Sequence, residues 1–285
     1  MTEYGNKIKL PGSSSIYGIY HNTRIKRYPD GSADILCASR QIFRVPGYEE
    51  RGAKDRTREQ KGKAEKASDN LARAKRRARA EVRDLALCNR MRWFVTLTLD
   101  AEKIDRYDEK AIVRKLGEWA DNQVRRKGLK YILVPEHHAD GAIHFHGFFN
   151  DAFEMVDSGT MTADGWKKPR RPKSPAEREK WSAEGARPVY NIPAWTFGFS
   201  TSIGVYGDYH AAVGYVCKYI AKEQQKIGGR WYYHGGALSR PEVELLDTDF
   251  SKMACTSGAA IFETETLQDM KFALVRVKGE GYGTE

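Results

Sequence analysis

The sequence predicts an α+β chain, and three patterns carry that expectation. Turn residues stand between paired strand-like runs at Pro29-Asp30-Gly31 and at Asp140-Gly141, so neighbouring strands should return antiparallel. A proline-free stretch from Glu49 to Asn89 is dominated by Ala, Lys, Arg and Glu, which favour helix. Two further runs, opened by Asp108 and Asp208, repeat apolar residues at helical spacing.

Taken in order, residues 1–12 read as loosely attached, and Thr23 to Phe43 as a hairpin. One or two helices follow over 49–89, becoming apolar enough to dock at Ala80, Val82, Leu85 and Leu87. Trp93 to Leu99, "WFVTLTL", alternates and reads as a strand whose threonines share a face. Asp108 caps a helix with Ile112, Leu116 and Trp119 on one side, and Gly128 stops it. "KYILVPE" and "AIHFHGFF" form a second hairpin around Asp140-Gly141. Residues 151–190, with "KKPRRPKSPAEREK", are charged and poor in apolar residues, and read as a surface insertion. Ala194 to Gly207 resumes a strand, and Asp208 caps a helix expected to end near Gly228-Gly229. "RWYYHGGAL" and "MKFALVRVK" suggest late strands. The expected division is an N-terminal hairpin extension at 1–48, a basic helical segment at 49–90, and one domain over 91–285.

Composition narrows the function. The 285 residues are 40% hydrophobic, enough for a substantial core. Cys37, Cys88, Cys217 and Cys255 lie far apart with no C-x-x-C pair, which argues against a zinc ribbon or a disulfide framework and fits a reducing compartment. No run resembles a signal peptide or a membrane span, so a cytoplasmic protein is expected. No phosphate-binding G-x-x-x-x-G-K-[ST] loop is present. The formal charge is +10, and residues 51–90 hold 14 Lys and Arg against 6 Asp and Glu. Such a basic stripe attracts a polyanion, nucleic acid above all, and Arg73, Lys75, Arg76, Arg77 and Arg79 are its candidate contacts.

Four of the seven histidines lie between Glu136 and Phe149. In a strand His144 and His146 share one face, which is half of a metal site. The third ligand would come from Glu136, His137 or His138. A two-residue loop sets His137 opposite His144, and a three-residue loop of Ala139 to Gly141 sets Glu136 there. Glu136 is the favoured choice, because a carboxylate with two imidazoles suits Mg²⁺ or Mn²⁺, whereas three imidazoles lean towards Zn²⁺. On the helix after Asp208, Ala212, Val213, Val216, Cys217 and Ile220 form the arc expected to pack on the sheet. Tyr215, Lys218, Tyr219 and Lys222 fall on the opposite arc, where both phenols and both ammoniums are i,i+4 neighbours. A metal-polarised phosphate, an attacking tyrosine and a nearby lysine make one coherent chemistry.

These residues resemble the HUH endonuclease superfamily of rolling-circle replication initiators. "FVTLTL" is similar to its first motif, "HFH" to its metal-binding second, and "YVCKYIAK" to its third, in that family's order. The Y-x-x-K-Y-x-x-K layout is similar to the two-tyrosine initiators of microvirus-type gene A proteins and related phage and plasmid Rep proteins. The resemblance implies Tyr215 and Tyr219 as nucleophiles, Lys218 and Lys222 as the motif lysines, and His144 and His146, with Glu136, as ligands of Mg²⁺ or Mn²⁺. It implies a central antiparallel sheet of about five strands with helices on one face, a ferredoxin- or RRM-like palm. The implied reaction nicks single-stranded origin DNA, leaving a 5′-phosphotyrosine and a free 3′-OH, and later rejoins strands. Partners implied are origin DNA, a host helicase and a polymerase, in a bacterial host cell. A two-tyrosine transposase and a non-catalytic origin-binding repressor are the alternative readings.

Overall fold

The computed structural model describes residues 7–9, 17–44, 67–264 and 267–279. The chain divides into two compact units, one of Asp69–Arg240 and one of Met1–Ser68 with Pro241–Glu285.

The N-terminal strands are β1 (Lys7–Lys9), β2 (Tyr17–Arg27) and β3 (Ala33–Arg44). Between β2 and β3 the turn works as the sequence suggests. Gly31 takes φ +79°, which a side chain disfavours, and the Ser32 amide donates to Asp30 Oδ1 at 2.9 Å. Of the expected calls, the loose attachment of residues 1–12 falls largely outside the described residues, as does the helix before residue 67.

The basic helix α1 runs Ala67–Cys88, and its last turns bury Val82, Leu85, Ala86 and Leu87. Next come β4 (Trp93–Leu99), α2 (Glu109–Lys127), β5 (Tyr131–His137) and β6 (Ile143–Phe149). In β4 every second residue is buried, the signature of a strand whose two faces differ. Asp108 caps α2 by accepting from the Lys110 and Ala111 amides, and Gly128 ends it in the left-handed conformation, φ +65°. Ile112, Leu116 and Trp119 of α2 pack with Trp93, Val95, Leu97, Phe145 and Phe149, which define one face of the sheet.

The segment expected as a surface insertion is ordered. It forms β7 (Val156–Thr162), α3 (Pro175–Ala183) and β8 (Arg187–Asn191), and its two strands extend the sheet. Few apolar residues suffice here, because Met161 and Val189 are buried and Trp166 packs edge-on against Trp181 at 5.1 Å. β9 is Gly198–Gly204, shorter than the run read from sequence, and α4 is Tyr209–Lys222, capped by Asp208. α4 stops well before Gly228 because Glu223 turns out of the helix at ψ 139°. β10 (Tyr233–Gly235) completes an antiparallel sheet of seven strands in the order β10-β5-β6-β4-β9-β8-β7.

The α+β class is as expected, with two differences in the sheet. It holds seven strands rather than about five, since the insertion supplies two. Helices also cover both faces rather than one: α2 lies on the Trp93, Phe145 and Phe149 side, while α4 touches Phe94, His146 and Phe148. Adjacent residues of a strand point to opposite faces, so these two contact sets cannot share one.

The final elements are β11 (Glu242–Leu246), α5 (Phe250–Ala254), β12 (Ala260–Thr264) and β13 (Leu267–Val277). β13 pairs with β3 and β11 with β2, giving a six-stranded sheet made from both ends of the chain. The division at 48 and 90 expected from sequence therefore differs from the one observed, because strand pairing takes residues 241–285 to the N-terminal hairpin. Among the described residues no helix is long and apolar enough to cross a membrane.

Gly147 shows how tightly the central strands are built. A Cβ there would lie 1.9 Å from the Ile132 carbonyl oxygen, which is backbone and cannot turn aside. Gly147→Ala should lower unfolding stability by about 2–3 kcal/mol in a urea titration, the typical cost of overpacking.

Candidate functional site

The site is assembled on the face opposite α2. Register places Glu136 across from His144 on β5–β6, Thr98 across from His144 on β4–β6, and Thr96 across from His146. The loop that sets this register has three residues. His138 donates its amide to Ala142 and accepts from the Gly141 amide, both at 2.8 Å, leaving Ala139 to Gly141 as the turn. Gly141 has φ +85°, and Asp140 Oδ1 accepts from the Ala142 amide at 3.0 Å. Of the two loop lengths weighed from sequence, the structure has the one that puts Glu136 on the histidine face.

Both imidazoles are fixed through Nδ1. Thr96 Oγ1 lies 3.0 Å from His146 Nδ1, and Thr98 Oγ1 lies 3.2 Å from His144 Nδ1. A hydroxyl both donates and accepts, so either tautomer of each ring is satisfied. His146 Nε2 stands 3.2 Å from Glu136 Oε2, and the other oxygen of Glu136 takes Lys222 Nζ at 3.2 Å. Burial, aided by His144, Lys222 and His138, pushes the His146 pKa down to about 4, and burial also lowers that of His144. Both rings are therefore neutral at physiological pH. His137 turns away from the pair: its amide and its Nδ1 both meet the Glu223 carboxylate, at 2.7 and 2.9 Å. His138 stacks on His144 with 4.6 Å between ring centroids.

α4 brings its phenols to the same place, though not on the arc expected. Tyr219 is only 7% exposed and lies flat on His146, centroids 4.1 Å apart. It donates to the Tyr215 hydroxyl at 2.9 Å, and Tyr215, 49% exposed, sets its ring edge-on to Phe94. Burial, then the hydrogen bond to Tyr215, raises the Tyr219 pKa above its ordinary value. The expectation that both tyrosines oppose the packed arc is thus corrected for Tyr219. α4 is covered on two sides, by the sheet at Tyr219 and by α1 at Cys217, whose thiol reaches the Arg79 carbonyl at 3.6 Å. At roughly 100° per residue those two positions bound a buried arc of about 160° that includes Val216 and Ile220.

The structure gathers His144, His146, Glu136, Tyr215, Tyr219 and Lys222, while Lys218 points to solvent with no polar contact among the described residues. Among those residues no three His, Cys, Asp or Glu side chains stand as a metal-holding group. The α1 candidates separate. Arg76, Arg77 and Arg79 are exposed, Arg73 is half-buried and donates to Asn70, and Lys75 is engaged by the Ala221 carbonyl at 3.1 Å and by the Trp231 ring. Sequence reasoning did not assign roles to Thr96, Thr98 or Glu223. The alternation in "WFVTLTL" held the signal for the threonines, and nothing local pointed to Glu223.

Residues 92–224 match the family described as replication-associated protein ORF2/gene 2 protein. The matched span begins one residue before β4 and ends two after α4, so it holds every strand and helix that carries the site. The replication-associated match leaves out α1 and the second unit. Neither the curated proteins nor the solved structures provide a match to the chain.

The depressed His146 pKa has a consequence for stability. With a folded value of about 4 against 6.5, the unfolded chain binds the proton more readily, so this contribution is complete above pH 6.5 and is lost as pH falls towards 4. Urea titrations at pH 7 and pH 4 should show a loss from this ring of about 3 kcal/mol, absent in His146→Gln.

Proposed function

We propose that this chain is a replication initiator that nicks single-stranded origin DNA through tyrosine transesterification. The observation that carries the reading is one face of one sheet presenting two neutral imidazoles and a carboxylate beside two hydrogen-bonded phenols. The match over 92–224 to replication-associated proteins supports the biological setting.

The donor set fits a divalent cation. Each imidazole has Nδ1 engaged by a threonine, which leaves Nε2 as the ligating atom, and Glu136 adds the carboxylate that Mg²⁺ or Mn²⁺ prefers. A cation held by His144, His146 and Glu136 would supply Lewis acidity to a phosphate oxygen. Tyr215 is the first nucleophile in this reading. It is the accessible phenol, and Tyr219 donates a hydrogen bond to its oxygen, an arrangement that favours negative charge there. Attack joins the phenol oxygen to phosphorus and breaks the bond to the 3′ oxygen, which leaves as a hydroxyl. Lys222, already paired with Glu136, and Lys218 offset charge on the phosphate. Tyr219 serves the later strand-joining step.

Tyr215→Phe should abolish the covalent adduct with labelled single-stranded origin DNA and Mn²⁺, whereas Tyr219→Phe should still form it and fail to rejoin strands. The reverse pattern would exchange the two roles, and an adduct in the double variant would refute tyrosine catalysis from α4. His144→Ala, His146→Ala or EDTA should stop cleavage while leaving most DNA binding, as read by gel shift and nicking in parallel.

α1 supplies the second part of the proposal, general attraction for DNA through Arg76, Arg77 and Arg79. Reversing these three charges should weaken binding to any sequence and flatten its salt dependence by about 0.7–0.9 of slope for each phosphate contact removed.

A further inference from the structure

The sheet face that carries the histidines continues beyond β4 onto β9. Register sets Phe199 across from Thr98, Thr201 across from Thr96 and Ile203 across from Phe94, so all three β9 residues share that face. α4 packs on β5 and β6, and it meets β4 at Phe94. Past it the face is open: Phe199 is 69% exposed, the most exposed of the large apolar side chains, and Thr201 is exposed beside it. Its cross-strand neighbour Thr98 is the residue that holds His144 Nδ1. Directly opposed Cβ atoms on neighbouring strands stand about 5 Å apart, so the ring is one strand away from the candidate catalytic row.

We infer that Phe199 is a stacking platform for one unpaired base of the DNA strand whose phosphate lies at His144 and His146. This assignment rests on the nicking reading for its placement. A single exposed apolar side chain needs no explanation by itself. Phe199 differs because its face is continuous with the histidine row and because it offers a flat π-surface. β9 is two strands from β6, which at the usual strand spacing is about 10 Å, the reach of a nucleotide or two from the reacting phosphate. Cations stand by the same row: Lys222 pairs with Glu136, and Arg106, 28% exposed, is close enough to His144 to depress its protonation. A single-stranded segment laid over this face would set its backbone among charges and one base on the ring. Stacking accepts any base, so Phe199 would fix the register of the strand without reading its sequence.

The test is an abasic walk. Labelled single-stranded origin oligonucleotides, each with one abasic site moved along the strand, are titrated with the full chain in EDTA, where binding is separated from cleavage. For the wild type one position should cost about 5- to 150-fold in affinity, the range of one base stacked on an aromatic ring. Phe199→Ala should lose a similar factor on the intact strand and be indifferent to that abasic site, and Phe199→Trp should restore both. Unchanged affinity of Phe199→Ala for the intact strand, or an unaltered abasic profile, overturns the platform. A wild-type abasic profile that Phe199→Ala erases, in a protein that forms no adduct with Mn²⁺, upholds the platform and overturns nicking. Wild-type protein with no affinity for single-stranded DNA overturns both.

Discussion

The register of β5 against β6 governs the rest of the site. Because side chains alternate with a period of two, a loop one residue shorter would carry Glu136 to the α2 face and bring His137 onto the histidine row. The turn of Ala139 to Gly141 sets the choice through the positive φ of Gly141 and the Asp140 carboxylate, which accepts from the Ala142 amide. With that register in place, Glu136 meets His146 on one side and Lys222 on the other, and α4 is tied to the sheet by an ion pair as well as by its packed residues. Glu223 adds a second tie at the end of the helix, taking both the amide and the ring of His137. Phenols and imidazoles thus belong to one framework rather than to two elements that happen to meet.

Much of this was legible because it is local. Asp108, Gly128 and Asp208 mark helix ends through bonds within a few residues, and the structure uses each as the sequence suggests. The face shared by His144 and His146 follows from strand periodicity alone. What could not be read were choices made by distant neighbours. A helical wheel ranks Tyr219 with the polar arc, yet it is buried because α1 occupies the Cys217 side and leaves the Tyr219 side to meet His146. Likewise α4 ends early because a histidine 86 residues away captures Glu223.

The insertion makes the same point from the other direction. Its charge and prolines suggested a strap over the surface, but two short strands need few apolar residues when an existing edge, β9, supplies the partner. Ser174 caps the intervening helix, and paired tryptophans replace a larger core. Low apolar content therefore reported how little new core was required, not an absence of order.

The second unit has strands from both ends of one chain, with β13 lying between β3 and β12. During synthesis β2 and β3 emerge first and cannot complete their sheet until residues beyond 241 have left the ribosome. The intervening unit, by contrast, has all of its own strands well before then. Pairings of such sequence separation carry a large loop-closure cost unless something folded already shortens the path. Asp69–Arg240 is that something: once compact, it replaces a long flexible loop with a folded body. The order of assembly is thus written into the strand order, with the histidine-bearing unit forming first and the terminal sheet closing last.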